Sequence, residues 1–193
     1  MAAGGLQSVL DTEPAAALVL GDGWRAIVDK DGELRGLRVP PRSAPASGIV
    51  SESEHLWAIS DFLYQAVWTT KHLRRGEIWL PKDDVDSYMK GRLLSMIEWH
   101  ARARGRDVTT WGESSGGRLL ERWAAPGVLE ALGSAFARYE AGDVARALLD
   151  TMGLFRWVSE ETGARIGYRY PAETHDTIEA WVCRCLADGN LHG

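Results

Sequence analysis

A mainly α-helical fold, a bundle of four to five main helices behind a small N-terminal β-hairpin appendage, is what this sequence predicts. Three observations carry it. Apolar residues recur at steps of three and four through most of the chain after residue 50. Helix-starting and helix-stopping residues bracket those runs. A Pro-, Ser- and Gly-containing stretch, Pro40-Pro41-Arg42-Ser43-Ala44-Pro45-Ala46-Ser47-Gly48, separates them from what precedes. The expected division is residues 1–39, a β-rich appendage; 40–50, a linker; and 51–193, a helical domain.

The first sixteen residues are small and polar and carry no pattern. Ala17-Leu18-Val19-Leu20 and Trp24-Arg25-Ala26-Ile27-Val28 are short apolar runs flanking Gly21-Asp22-Gly23, which reads as a β-hairpin with a Gly-rich turn. A further turn is expected at Asp31-Gly32.

Ser51-Glu52-Ser53-Glu54 has the form of a capping box, and the helix behind it is expected to reach Arg75 before Gly76. Leu56, Ile59, Leu63, Ala66, Thr70 and Leu73 form its expected buried stripe. Asp83 or Asp84 is the expected cap of the next helix, with Val85, Met89, Leu93, Met96, Ile97 and His100 inward and Gly105 at its end. Residues 105–117 are polar and Gly-rich, hence a loop. Shorter helices are expected at 117–124 and 126–139, the second with Pro126 in its first turn. A long helix is expected over 142–164, with Val144, Leu148, Thr151, Phe155 and Val158 on one stripe. The last covers 172–187, with Ile178, Trp181, Val182 and Cys185 inward.

The chain has 193 residues, 45% hydrophobic and 25% charged, enough to bury a core without staples. Its nine Trp suit cores and pocket walls alike. A formal charge of −5 argues against nucleic acid, which needs a basic footprint. It is compatible with a cationic small molecule and equally ordinary for a cytoplasmic protein. Cys183 and Cys185 sit two apart on a helix, pointing to different sides, and read as free thiols in a reducing compartment. Met1-Ala-Ala-Gly-Gly has no leader-like character, and no run approaches the roughly 18–20 apolar residues of a membrane span. The cytoplasm is the expected location, without a membrane or nucleic-acid partner.

Several constellations could carry chemistry. Trp57, Asp61, Tyr64, Trp68, Lys71 and Arg75 line a second side of the first long helix. Aromatic rings interleaved with two cations and a carboxylate suit a polar ligand, with Lys71 and Arg75 toward phosphates. The same pattern suits a helix interface with ions at its wet edge. Glu98-Trp99-His100 could do acid–base work beside a pocket, although His100 also falls on the apolar stripe, where a core histidine belongs. Asp29-Lys30-Asp31 has the Asp-x-Asp form that holds Mg²⁺ on a strand, but Lys30 stands where an apolar residue is needed and Gly32 follows, so it reads as a turn. Gly112-Glu113-Ser114-Ser115-Gly116 matches G-x-S-x-G without the strand and helix a nucleophile elbow requires. No P-loop, dinucleotide fingerprint or metal-ligand spacing is present.

Taken in order, these pieces resemble a known family. Asp61-Phe62, then Trp68-x-x-Lys71-x-Leu73-x-Arg75-x-Glu77, is similar to a pattern of the aminoglycoside 6-adenylyltransferases, which act on streptomycin. Leu93-Leu94-x-Met96-x-x-Trp99-His100 resembles the family's next helix. Leu154-Phe155-Arg156 and Gly167-Tyr168-Arg169-Tyr170-Pro171 resemble its last third. Ile27-Val28-Asp29-Lys30-Asp31 resembles the strand end and turn after the family's catalytic domain. The resemblance spans about residues 18–187. Leu63 stands where the family has Trp, Trp68 where it has Tyr, and Lys90-Gly91 where it has Arg-Pro.

The resemblance implies a two-domain enzyme that moves AMP from ATP to a drug hydroxyl, using Mg²⁺ held by an N-terminal domain with a Gly-Ser…Asp-x-Asp signature. That signature is not found here. The expectation is therefore a chain carrying the helical, substrate-binding domain, with residues 1–39 the end of the other and the catalytic part lost or on another chain. On this reading Lys71 and Arg75 face nucleotide phosphates. Asp61, Glu77 and Glu98 are candidates for the cationic drug, with Trp68, Trp99 and His100 beside it. ATP and Mg²⁺ are implied by the family, and this chain alone is not expected to bind them. A stand-alone binding or docking module and a decayed remnant are the other readings.

Overall fold

The structure is a computed structural model, and it describes residues 5–13, 16, 20–21, 24–30, 32, 34–39, 49–106, 108 and 116–187. It divides into two compact units, Met1–Ser47 and Gly48–Gly193.

In the first unit helix α1 spans Leu6–Thr12. The Gln7 side-chain amide ties it to a later turn: Nε2 donates to the Arg38 carbonyl at 3.3 Å, and the Arg38 N–H donates to Oε1 at 2.9 Å. Asp29 Oδ1 accepts from the Leu34 N–H at 3.3 Å, so this carboxylate closes a turn. The expected β-hairpin is not seen. Leu20 and Gly21 are helical, and Trp24–Val28 has no strand partner among the described residues. Ile27 and Val28 are 86% and 65% exposed, so the run has no buried face to fix a register, which strand pairing needs. Ala17, Leu18, Val19, Asp22, Gly23 and Asp31 of that reading lie outside the described residues, as does 40–48 of the expected linker. No strand occurs among the described residues.

The second unit is a helical bundle. Helix α2 spans Glu52–Leu73 and opens with the capping box: the Glu54 N–H donates to Ser51 Oγ, and the Ser51 N–H donates back to the Glu54 carboxylate. Its buried side carries His55, Ile59, Phe62, Leu63, Ala66, Thr70 and Leu73. Leu56, expected on that stripe, is exposed. A residue beside His55 is turned about 100° away from it, and the histidine has taken the inward place.

The next rod begins at Trp79, ahead of its expected cap. Helix α3 (Trp79–Asp83) runs through a π-helical turn (Asp84–Tyr88) into α4 (Met89–Ala103). Pro81 is tolerated because first-turn N–H groups have no intrahelical partner in any case. Asp84, one of the two expected caps, lies inside the rod and is buried. Val85, Met89, Leu93, Met96, Ile97 and His100 all point inward, as their spacing requires.

Short helices α5 (Leu120–Trp123) and α6 (Pro126–Leu132) follow. The second ends well before residue 139, because 133–140 is held by side chains from elsewhere. Arg146 donates to the Ser134 and Phe136 carbonyls, and Asp86 Oδ1 accepts from the Ala137 N–H at 3.2 Å. Helix α7 (Ala141–Ile166) packs along α4 as the central pair of the bundle. It ends on Gly167 at φ 83°, the left-handed stop that glycine adopts without a Cβ clash. Helix α8 (Ala172–Ala187) lies against α2. Cys183 is exposed, Cys185 is buried, and both are free thiols.

The core joins α2, α4 and α7. Phe62 and Phe155 stack face to face with ring centroids 3.7 Å apart and planes 2° from parallel. Val144, Leu148, Thr151, Phe155 and Val158 are buried in it. No helix among the described residues is long and apolar enough to cross a membrane.

Candidate functional site

Burying one side of α2 in the core turns its other side outward. Trp57 and Tyr64 are 55% and 63% exposed, Lys71 and Arg75 are exposed, and Asp61 and Trp68 are half-buried. Two clusters organise this surface, one near each end.

Near the N-terminal end, Arg92 of α4 reaches across to α2. Its Nε donates to Asp61 Oδ2 at 2.7 Å, and Nη2 donates to the Tyr88 hydroxyl at 2.9 Å. The Tyr88 hydroxyl donates in turn to Asp61 Oδ2 at 3.0 Å. The guanidinium lies over the Trp57 ring at 4.5 Å and beside the Tyr88 ring at 5.0 Å. Asp61 is therefore already paired with a cation, so an incoming cationic ligand has to share it with Arg92.

Near the C-terminal end, the Trp68 and His72 rings lie 3.9 Å apart, centroid to centroid, and His72 Nδ1 hydrogen-bonds the Glu77 carboxylate. A carboxylate on one ring nitrogen fixes the imidazole's orientation. Lys71 and Arg75 sit beside this cluster in sequence and have no carboxylate partner among the described residues. Two unpaired cations one turn apart are suited to an anion with several oxygens.

Between the clusters, Thr69 donates its hydroxyl to Asp84 Oδ2 at 2.5 Å. Burial pushes the Asp84 carboxyl up to about 6, with Thr69 opposing and the charge of Asp83 adding to the rise.

Glu98, Trp99 and His100 lie elsewhere, toward the end of α4. Glu98 is buried, with Arg102 at 4.0 Å. Trp99 is half-buried with its ring 6.4 Å from that of His55. His100 is enclosed in the core; its Nε2 lies 3.0 Å from Glu161 Oε2, and the Trp157 ring meets it edge-on. Glu161 also accepts from Arg104 and Arg165, and the His100 bond leads these contacts in holding its carboxyl down to about 2. No hydrogen bond, ion pair or ring contact joins Trp99 or His100 to Lys71 or Arg75 among the described residues.

Arg92, Tyr88 and His72 belong to this surface and Asp84 lies buried beneath it; sequence offered Asp84 only as a helix cap and gave the other three no role. His72 follows Trp68 by four residues, a spacing that does put two rings on one helix face. The others come from a separate element, and no local signal pairs them with α2. Among the described residues no group of three or more His, Cys, Asp or Glu side chains is arranged to hold a metal ion. The carboxylates here do not fit Mg²⁺: Asp61 is occupied by Arg92, and Asp84 is buried against Thr69.

No curated protein matches the chain. The sequence profile of one family, described as streptomycin adenylyltransferase, matches residues 10–185, from helix α1 through nearly all of α8. With that match across most of its length, the chain belongs to the streptomycin adenylyltransferase family.

Proposed function

We propose that this chain supplies the helical wall of a streptomycin adenylyltransferase cleft, in which AMP passes from ATP to a hydroxyl of an aminoglycoside. The observation that carries this reading is the outward side of α2, where Lys71 and Arg75 stand exposed beside the Trp68–His72–Glu77 cluster. The two cations meet nucleotide phosphates, since each is free to make charge-assisted hydrogen bonds. Trp57, Tyr64 and Trp68 offer flat faces to the drug rings, and Glu77 and Asp61 offer carboxylates to its guanidinium groups. On this reading His100 acts from behind by tying α4 to Glu161 of α7, Trp99 packs beside His55 of α2, and Glu98 pairs with Arg102 within α4. On this reading the metal-holding carboxylates belong to the family's other domain.

The test is transfer of labelled AMP from ATP to streptomycin in the presence of Mg²⁺, together with the drug's effect on thermal unfolding. This chain alone is expected to transfer none and to be stabilised by streptomycin. Clear turnover would mean that the catalytic carboxylates are within it. Stabilisation by streptomycin that no added catalytic domain converts into turnover would favour a non-catalytic binding module.

A further inference from the structure

Away from the α2 face, α4, α5 and α6 wall a cavity of about 540 Å³, within the range of roughly 300–1,000 Å³ usual for small-molecule pockets. Leu93, Leu94, Ile97, Leu129 and Leu132 give it an apolar lining. Lys90 and Glu121 are the charged groups among its described lining residues.

Lys90 is unusual in its partners. Its amine donates to the Val85 carbonyl at 3.1 Å and to the Thr151 hydroxyl at 2.8 Å, and neither carries charge. It stands 4.9 Å from the centre of the Phe136 ring, which also lines the cavity. Asp86 is the nearby anion; its oxygens accept from Lys82 at 2.6 Å and from the Ala137 N–H at 3.2 Å, and it makes no bond to Lys90. An ammonium has three N–H donors, and two are used. A partly buried charge with no carboxylate bonded to it is costly, and an anion entering the cavity would relieve that cost. Burial has pushed the amine down to about 8, against the pull of Asp86.

We propose that this cavity binds a small amphipathic monoanion, with an apolar chain or ring among the leucines and a carboxylate on the Lys90 amine. A phosphate dianion is disfavoured, because one cation would face two charges with Glu121 at the same cavity. The site is independent of the α2 face and involves none of its residues.

Decanoate, decanol and decyl phosphate titrated separately into the full chain at pH 7, followed by calorimetry, test this. Decanoate is expected to bind at least about tenfold more tightly than either of the others. In Lys90→Met the preference over decanol is expected to shrink to about twofold, with decanol binding retained. Should that variant fold poorly, the wild-type protein decides: raising the pH from 7 to 9 is expected to weaken decanoate and leave decanol unchanged, because Lys90 loses its proton across that interval. Equal affinity for decanoate and decanol, tighter binding of decyl phosphate, or no saturable binding of decanoate would each overturn the proposal.

Discussion

The Thr69 hydroxyl donates to the buried carboxylate of Asp84 at 2.5 Å, tying the middle of α2 to the π-helical turn of the neighbouring rod. A π turn widens the helix by one residue and is often found near functional surfaces. Here it belongs to the segment that brings Asp84 onto Thr69, under the face that carries Lys71 and Arg75.

Asp84 fixes the sign of one pH effect. Its folded value is about 6 against an ordinary 3.8, so the native state binds this proton more tightly than the unfolded chain. The resulting destabilisation is full above about pH 6 and disappears as pH falls toward 4. Asp84→Asn, which keeps an oxygen for Thr69, is expected to stabilise the protein by on the order of 2 kcal/mol at pH 7.5 and by almost nothing at pH 4. Urea unfolding of both proteins at the two pH values checks this, and an equal gain at both would contradict it.

The buried histidines act in the opposite sense. Burial, partly offset by the Ser159 backbone and the charge of Glu52, holds His55 below its usual 6.5. Burial likewise lowers His175. The unfolded chain takes up these protons first, so the stability is complete above about pH 6.5 and is lost as pH falls below it. His55→Leu is expected to flatten the acid limb of the stability curve between pH 7 and 5, measured as the urea midpoint at each pH. An unchanged slope would count against the assignment.

The Phe62–Phe155 stack holds α2 to α7. Phe155→Ala is expected to cost about 3–5 kcal/mol, as large-to-small changes of fully buried rings do. A double-mutant cycle with Phe62→Leu and Phe155→Leu is expected to show coupling of about 0.5–1.5 kcal/mol. Additive losses would mean that the ring contact itself contributes nothing.

Gly163 of α7 is a packing requirement. A Cβ there would lie 2.9 Å from the Tyr168 carbonyl oxygen and 3.5 Å from His55 Cε1. Gly163→Ala is expected to destabilise by about 1–3 kcal/mol, although alanine is the better helix former. Gly153→Ala in the same helix, where nothing lies within 4 Å, is the control and is expected to be neutral or stabilising. Thermal unfolding of the pair separates the two effects.

The bundle was legible where its signals are local. Ser51 and Glu54 marked the start of α2, and the three-four spacing of Val144 through Val158 marked the inner side of α7. Where long-range contacts decide, sequence was silent or misleading. Trp24–Val28 looks like a strand by residue type, yet no partner strand covers it among the described residues. Helix α6 looks longer than it is, because Arg146 and Asp86 capture the chain after Leu132 from other elements. On the candidate site, periodicity put Lys71 and Arg75 outside the core. It could not reveal that Asp61 is neutralised by a residue 31 positions away, nor that Asp84 lies beneath Thr69.

The central claim, that the outward side of α2 receives nucleotide phosphates, is tested most directly by calorimetric titration of ATP, with a catalytic domain of the family supplied in trans, into the chain and into Lys71→Ala and Arg75→Ala. Saturable binding that weakens about tenfold or more in each variant, with Asp84→Asn binding as tightly as the parent, is the result expected from the loss of one charge-assisted hydrogen bond at a time. Parent-like affinity in both alanine variants would contradict the claim, as would no binding by the parent chain together with that domain.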